Sequence, residues 1–216
     1  MHSDIQRRID LLMNDTASSL SRSLYFYSPS RHNSKEGNAL RESNALLHLS
    51  HCCLNQGWAV FSEAARHEQA SGGLDLLAYH PDLKVQMRVE GKRLIGAESF
   101  GKILEDVAKI NRFQLNAHDN EGAEILTPSR CIGLIVAVTH SREIADWWVS
   151  TEAVSDAVED ERRRGVRAYL TDVETGAAST AQAIHFETWF EGKGLSQNWL
   201  LYAWHDVAVS TETMRT

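Results

Sequence analysis

The feature that most constrains the fold is one continuous apolar run near the middle of the chain. Residues 131–140, CIGLIVAVTH, contain no Asp, Glu, Lys or Arg and are rich in β-branched side chains. A strand of this composition is typical of a sheet that is covered on both faces. We therefore expect this segment at the centre of a sheet that has helices packed on both sides.

The residues before this run change from helical to strand periodicity. Apolar side chains recur at helical spacing in three segments: 4–26, about 34 or 38 to 55, and 98–113. Strand-forming residues predict three strands between the second and third of these segments: 58–65, 74–79 and 84–94. Residues 80–83, HPDL, predict a turn that joins the last two strands into a hairpin.

The residues after the run complete a mixed α/β chain. They predict a helix over 150–164 and two further strands over 166–173 and 198–209. We expect a single domain over residues 1–216 with three parts. These parts are an N-terminal helical extension (1–33), a core (34–140), and a C-terminal helix and strands that complete the fold (141–216).

The composition is that of an ordinary globular domain. The 216 residues carry a formal charge of −7, and 43% of them are apolar. A chain of this length buries enough surface to be stable without disulfides. Its three cysteines, Cys52, Cys53 and Cys131, are an odd number, so we expect reduced thiols and a cytoplasmic location. Residues 1–19 mix charged with apolar residues and predict neither a signal peptide nor a membrane span.

Charge is distributed unevenly along the chain. Residues 84–112 contain seven basic and four acidic side chains, whereas residues 116–161 contain two basic and ten acidic side chains. An acidic chain does not coat nucleic acid by charge alone, so a surface for a polyanion must be local. The basic segment predicts binding to a short stretch of nucleic-acid phosphates. The acidic segment is a candidate surface for a protein partner.

Three charged residues carry the chemistry that the sequence predicts. Asp75 lies on one strand of the expected hairpin, and Glu90 and Lys92 lie on the other. Side chains alternate along a strand, so Glu90 and Lys92 share a face. A turn centred between residues 82 and 83 makes Asp75 face Glu90 across the hairpin. Two carboxylates beside a lysine can hold Mg²⁺, a water and a phosphate oxygen, as phosphodiester hydrolysis requires.

This arrangement resembles the PD-(D/E)xK, or restriction-endonuclease-like, nuclease superfamily. The core of that family is a helix, three strands with an Asp and a (D/E)-x-K pair, a helix and another strand, in a mixed central sheet flanked by helices. The predicted elements follow that order from about residue 34 to 140. The resemblance implies that Asp75 and Glu90 bind Mg²⁺, with Mn²⁺ as a substitute, and that Lys92 is the catalytic lysine. It also implies that Gly91 is the variable middle position, whose carbonyl contacts the metal.

Many members of the family add a glutamate from the first core helix to the site. Glu42 is the candidate here, because positions 42, 46, 49 and 53 follow helical spacing and the last three are apolar. Glu36 is the weaker choice.

The sequence departs from the family pattern at Leu74, where a proline often precedes the Asp. A literal Pro81-Asp82 pair does occur, but Asp82 would lie about 26 Å from Glu90 along an extended strand, too far to share a metal ion. We interpret this pair as part of the turn.

Simpler interpretations of these residues are also open. Glu90 and Lys92 can form an ion pair on a solvated strand face, which contributes under about 1 kcal/mol. Lys109 can pair with Glu105 at i,i+4 spacing on the exposed side of its helix.

The sequence therefore predicts a Mg²⁺-dependent nuclease, with DNA rather than RNA as the expected substrate. The alternative is a catalytically inactive protein of nuclease fold that works as a binding or interaction module in defence or immunity. Its partner would be a protein bound to the acidic surface, or a second copy of the chain.

Overall fold

Within the described part of the chain, six strands form one mixed sheet with helices on both of its faces. The computed structural model describes residues 2–26, 40–64, 73–95, 97–113, 128–150, 161–171, 181–190 and 194–208. The helices in these ranges are α1 (His2–Phe26), α2 (Glu42–Asn55), α3 (Ala97–Arg112), α4 (Arg142–Val149) and α5 (Glu161–Thr171). The strands are β1 (Ala59–Ala64), β2 (Leu74–His80), β3 (Val85–Arg93), β4 (Arg130–Thr139), β5 (Gln182–Phe190) and β6 (Gly194–Val207). The expected α/β class is confirmed.

The strand order across the sheet is β1-β2-β3-β4-β6-β5. β1, β2 and β3 are antiparallel neighbours, whereas β3 and β4 run parallel. Parallel neighbours need a crossover connection, and α3 lies in the segment that makes it. β6 then pairs antiparallel with both β4 and β5. This topology places the β2–β3 hairpin and α3 next to one another in the fold.

β4 is the inner strand that the apolar run predicts. Every residue from Cys131 to Thr139 is buried. Ile132 and Leu134 pack in the core on one side of the sheet, and Ile135 packs in the core on the other. The prediction of a central strand covered on both faces is confirmed.

The turn between β2 and β3 occupies residues 81–84. His80 pairs with Val85 at the ends of the two strands, and the amide of Lys84 donates to the carbonyl of Pro81 over 3.3 Å. Lys84 has a left-handed backbone conformation, with φ at 50°. Pro81 and Asp82 therefore lie in the turn, as predicted.

α1 and α2 cover one face of the sheet. Leu12 and Leu20 of α1 are buried in one cluster with Leu49 of α2 and Met87 of β3. α1, which the sequence predicts as an extension, is thus packed into the main core.

α3, α4 and α5 cover the opposite face. Phe100 and Ile103 of α3 pack in one cluster with Trp148 of α4 and Val166 of α5. The indole of Trp148 donates to the backbone carbonyl of Tyr202 over 3.1 Å, which ties α4 to β6.

The helix predicted over residues 150–164 ends too early, because α5 continues to Thr171. α4 ends at Val149 and α5 begins at Glu161, and residues 151–160 lie outside the described part of the chain.

The strand predicted over residues 166–173 is wrong, because residues 166–171 belong to α5. Val166, Ala168 and Leu170 alternate as they would in a strand, which explains the error. Val166 and Leu170 also share one face of a helix, and both are buried on the α3 side of the sheet, whereas Ala168 is exposed.

Residues 182–190, over which no element is predicted, form β5. The strand signal is present, since Phe186 and Thr188 are buried and His185 and Glu187 are exposed in alternation.

Cys52, Cys53 and Cys131 are buried and form no disulfide, in agreement with the prediction of free thiols. Among the described helices, none is long and apolar enough to cross a membrane.

Candidate functional site

The register of the β2–β3 hairpin brings the predicted site residues together. Leu76 pairs with Val89 and Leu77 pairs with Arg88, as a turn centred between residues 82 and 83 predicts. Asp75 is the next residue along β2. Its carboxylate Oδ2 accepts a hydrogen bond of 2.8 Å from the backbone N–H of Gly91. Asp75 therefore contacts the backbone of the E-G-K segment directly.

The two faces of β3 have different surroundings. Val85, Met87 and Val89 point into the core with α1 and α2. Side chains alternate along the strand, so Glu90 and Lys92 point to the opposite face, where α3 packs. The predicted pair therefore lies between the sheet and a helix.

Two ion pairs join this face of β3 to α3. The ammonium of Lys92 lies 2.9 Å from Oδ2 of Asp106, and the ammonium of Lys109 lies 2.7 Å from Oε1 of Glu90. Asp106 and Lys109 are one helical turn apart, so their side chains leave the same side of α3. Each charged residue of the β3 pair thus has an oppositely charged partner on the helix.

The interpretation of Glu90 and Lys92 as a solvated surface pair is wrong. Glu90 is only 1% exposed, and it pairs with Lys109 rather than with Lys92. The helix covers the polar face of β3, which explains why a strand with charged residues on one face is buried on both.

Burial controls the acid–base properties of the carboxylates. It raises the pKa of Glu90 to about 7; the hydrogen bond from Lys109 opposes this rise, and the nearby charge of Asp75 adds to it. Burial also raises the pKa of Asp106, although Lys92 acts in the opposite direction. A neighbouring cation therefore stabilises the charged forms of these two carboxyl groups.

The pKa of Lys92 is shifted in favour of its charged form. Burial lowers this pKa, but the hydrogen bond and charge of Asp106, together with the charges of Asp75 and Glu90, outweigh burial and raise it. Lys92 therefore stays protonated at neutral pH, and its ammonium group can stabilise negative charge.

Arg88 anchors α3 against β3 beside the site. Its guanidinium donates to the carbonyl of Ile110 over 3.1 Å and to the side-chain oxygen of Gln86 over 2.9 Å. It also lies over the ring of Phe113, 5.6 Å from the centroid. These contacts hold the C-terminal turn of α3 close to the strand that carries Glu90.

Glu42 is not brought to this cluster. It is the first residue of α2 and is exposed, and α2 packs on the face of the sheet opposite Glu90 and Lys92. Leu46 of α2 contacts that other face at Gly91, where an added Cβ would lie only 2.7 Å from Leu46 Cδ1. Glu36 lies outside the described residues. The metal role of Glu42 stays a prediction.

Sequence reasoning did not assign Asp106 and Lys109 to the site. Lys109 was expected to pair with Glu105, but its partner is Glu90, and Glu105 is exposed. One signal was present, because Asp106 falls at helical spacing between Ile103 and Ile110 on the buried side of α3. An acidic residue on an apolar helix face requires a partner, and here that partner is Lys92.

The donor atoms are of the kind that Mg²⁺ prefers. Mg²⁺ commonly takes one or two carboxylates and keeps several waters, and Asp75 and Glu90 offer two carboxylates on adjacent strands. Glu90 already binds a cation, the ammonium of Lys109. The fit is partial, because no group of three or more His, Cys, Asp or Glu side chains in the described residues is arranged to hold a metal ion.

Comparison of the chain with protein-family models, with curated proteins and with solved structures finds no match.

Proposed function

We propose that this chain is a Mg²⁺-dependent nuclease that hydrolyses phosphodiester bonds in DNA, with Mn²⁺ as a substitute metal. The observation that carries the proposal is the contact between Asp75 and the Glu90-Gly91-Lys92 segment, through the 2.8 Å hydrogen bond from the Gly91 amide. This contact joins an aspartate to an E-x-K pair across one hairpin, which is the residue pattern of the superfamily that the sequence resembles.

The topology supports the same assignment. α2, the antiparallel strands β1 to β3, the crossover helix α3 and the parallel strand β4 follow the order helix, three strands, helix, strand. That is the order of the restriction-endonuclease-like core, and we propose this fold for residues 42–139.

In the proposed site Asp75 and Glu90 would hold the metal ion through their carboxylates, and the family resemblance implies the carbonyl of Gly91 as a third oxygen ligand. The Gly91 amide orients the Asp75 side chain by donating a hydrogen bond to its oxygen Oδ2. The carboxylate is therefore positioned before any ligand binds. A bound Mg²⁺ would lower the pKa of its water and screen the charge of the phosphate.

Lys92 is the positively charged side chain that the protein contributes at the reacting phosphate. As the water oxygen bonds to phosphorus and the bond to the leaving oxygen breaks, negative charge grows on the phosphate oxygens, and the ammonium of Lys92 stabilises it. Asp106 holds that ammonium at 2.9 Å, which restricts the motion of a long side chain. The attacking water gives up one proton to solvent, and the leaving oxygen takes up one proton from solvent, so the step balances.

The charge distribution favours a short contact with DNA. The segment 84–112, which carries the site, has three more basic than acidic side chains, whereas the chain as a whole is acidic. A segment with so few excess cations neutralises few phosphates, so we expect weak binding that depends only shallowly on salt.

The alternative function is that of an inactive binding or interaction module with a nuclease fold. One observation favours it: Glu90 and Lys92 are both already paired with residues of α3. In this case the ion pairs hold the helix to the sheet, and the partner is a protein bound to the acidic surface or a second copy of the chain.

A cleavage assay separates the two functions. Supercoiled, linear and single-stranded DNA and a matched RNA are incubated with the protein and millimolar Mg²⁺ or Mn²⁺. We expect wild-type protein to cut DNA, Asp75→Asn to cut none, and EDTA to abolish cleavage. A wild-type protein that binds metal but cuts none of these substrates would establish the interaction module as the better proposal.

A further inference from the structure

The contact between Lys109 and Glu90 is unusual in its burial. The Glu90 side chain is 2% exposed and that of Lys109 is 29% exposed, and their charged atoms are 2.7 Å apart. Surface ion pairs contribute little, but a buried carboxylate needs a partner, because without one it would lose its hydration with no compensation. Lys109 is therefore the group that compensates the charge of Glu90 in this structure.

The carboxylate of Glu90 has a second partner under the proposed function. Its Oε1 lies 2.7 Å from the ammonium of Lys109, and the same carboxylate is proposed to hold the metal ion. An ammonium and a divalent cation at that carboxylate repel each other, and both need its lone pairs.

We propose that Lys109 is an internal counterion that competes with the metal ion for Glu90 and thereby sets the metal affinity of the site. This inference rests on the proposed metal site but not on nuclease activity. A metal ion held there would displace the ammonium of Lys109 from Glu90, and the Lys109 side chain, which is already 29% exposed, would turn towards solvent.

Lys92 does not fill this role. Its ammonium is bound by Asp106, not by a proposed metal ligand, so a metal ion at Asp75 and Glu90 can leave the Lys92–Asp106 pair intact. The two lysines therefore have separate functions: Lys92 acts on the phosphate, and Lys109 compensates the carboxylate of Glu90.

The test is a titration of the full-length protein with Mn²⁺ alone, followed by calorimetry, at a pH well above the pKa of Glu90. Lys109→Met removes the charge and keeps the aliphatic stem. Lys109→Gln removes the charge but can still donate a hydrogen bond to Glu90, so it serves if the first variant does not fold. Lys109→Arg keeps the charge. Lys102→Met is the matched control, since Lys102 is an exposed lysine on the same helix.

We expect Mn²⁺ to bind on the order of tenfold more tightly to Lys109→Met and Lys109→Gln than to wild type, a coupling of ordinary size between two cations at one site. Lys109→Arg and Lys102→Met should bind as wild type does. Thermal unfolding gives a second readout: the metal-free Lys109→Met protein should melt lower than wild type, and Mn²⁺ should raise its melting temperature by more.

The outcomes distinguish this inference from the proposed function. Equal Mn²⁺ affinity in wild type and both charge-removing variants overturns the inference and leaves the nuclease proposal standing. Tighter binding in the variants, with no cleavage by any of the proteins, supports the inference and counts against nuclease activity. Absence of Mn²⁺ binding in wild type and variants alike overturns both.

Discussion

The ammonium of Lys92 lies 2.9 Å from Oδ2 of Asp106, so the lysine of the E-x-K segment is held by a carboxylate of the crossover helix. Both side chains are largely shielded from water, at 19% and 11% exposure. The helix that connects β3 to β4 therefore also completes the cluster around Asp75 and Glu90. Variants of these residues can separate the roles of structure, metal binding and catalysis.

Asp106→Asn should destabilise the protein and weaken catalysis together. The change leaves the half-buried Lys92 without its charged partner, at an expected cost of about 2 kcal/mol in the free energy of unfolding. Urea unfolding measures this cost, and the cleavage rate should fall because Lys92 is no longer held in place. The matched control is Asp146→Asn, whose partner Arg142 is highly exposed, so that its cost should stay under about 0.5 kcal/mol. Equal stability of the two variants would contradict this account of Asp106.

Lys92→Ala should abolish cleavage and leave metal binding intact or improved. Lys92 is not a proposed ligand, and removal of a positive charge cannot weaken the attraction of the carboxylates for Mg²⁺. Parallel cleavage assays and Mn²⁺ titrations measure the two properties separately. Asp82→Asn is the control that should change neither, because Asp82 lies in the turn at the far end of the hairpin. If Lys92→Ala cuts DNA as fast as wild type, the catalytic role of this lysine is wrong.

Divalent ions should raise the melting temperature of the wild-type protein. A ligand that binds only the folded state stabilises that state by mass action, and a metal ion would also relieve the repulsion between the carboxylates of Asp75 and Glu90. The measurement is thermal unfolding in millimolar Mg²⁺ or Mn²⁺ against EDTA. Asp75→Asn should lose the shift, and a shift of the same size in that variant would mean that the ion binds elsewhere. Glu42→Gln, measured alongside, tests whether α2 contributes a ligand.

In the metal-free protein, the contribution of Glu90 to the free energy of unfolding should decrease as pH rises from about 5 to 7. Its folded-state pKa, about 7, lies above its ordinary value of 4.5, so in this window the folded state holds a proton that the unfolded state has lost. Deprotonation through the folded pKa therefore costs stability, by up to about 3 kcal/mol.

Burial lowers the pKa of His205 to about 4, so this histidine adds a pH dependence of opposite sign in the same window. The difference between wild type and Glu90→Gln isolates the contribution of Glu90. We expect urea unfolding in EDTA to show that the free energy of unfolding of wild type decreases relative to that of Glu90→Gln as pH rises. Parallel curves would show that Glu90 is ionised throughout this range.

Local periodicity was enough to predict the elements that carry the site. β4 was predicted because nine consecutive buried residues leave a continuous apolar signal, and the hairpin register followed from the turn chemistry of Pro81 and Asp82. These features depend on neighbouring residues in the chain, and the alternation of a strand assigns each side chain to one face without knowledge of the partner. Local periodicity failed for residues 166–171, where alternate apolar residues fit both a strand and a helix.

The sequence by itself determined that Asp75, Glu90 and Lys92 meet, because one hairpin register brings them together. Only the tertiary structure decided their ion-pair partners and the side of the sheet on which each helix lies. α2, which begins at Glu42, packs on the face opposite Glu90, whereas the crossover between β3 and β4 lays α3 over Glu90 and Lys92. The physical reason is that side-chain periodicity defines the apolar face of a helix, but the packing of the complete sheet decides which face of the sheet that helix covers.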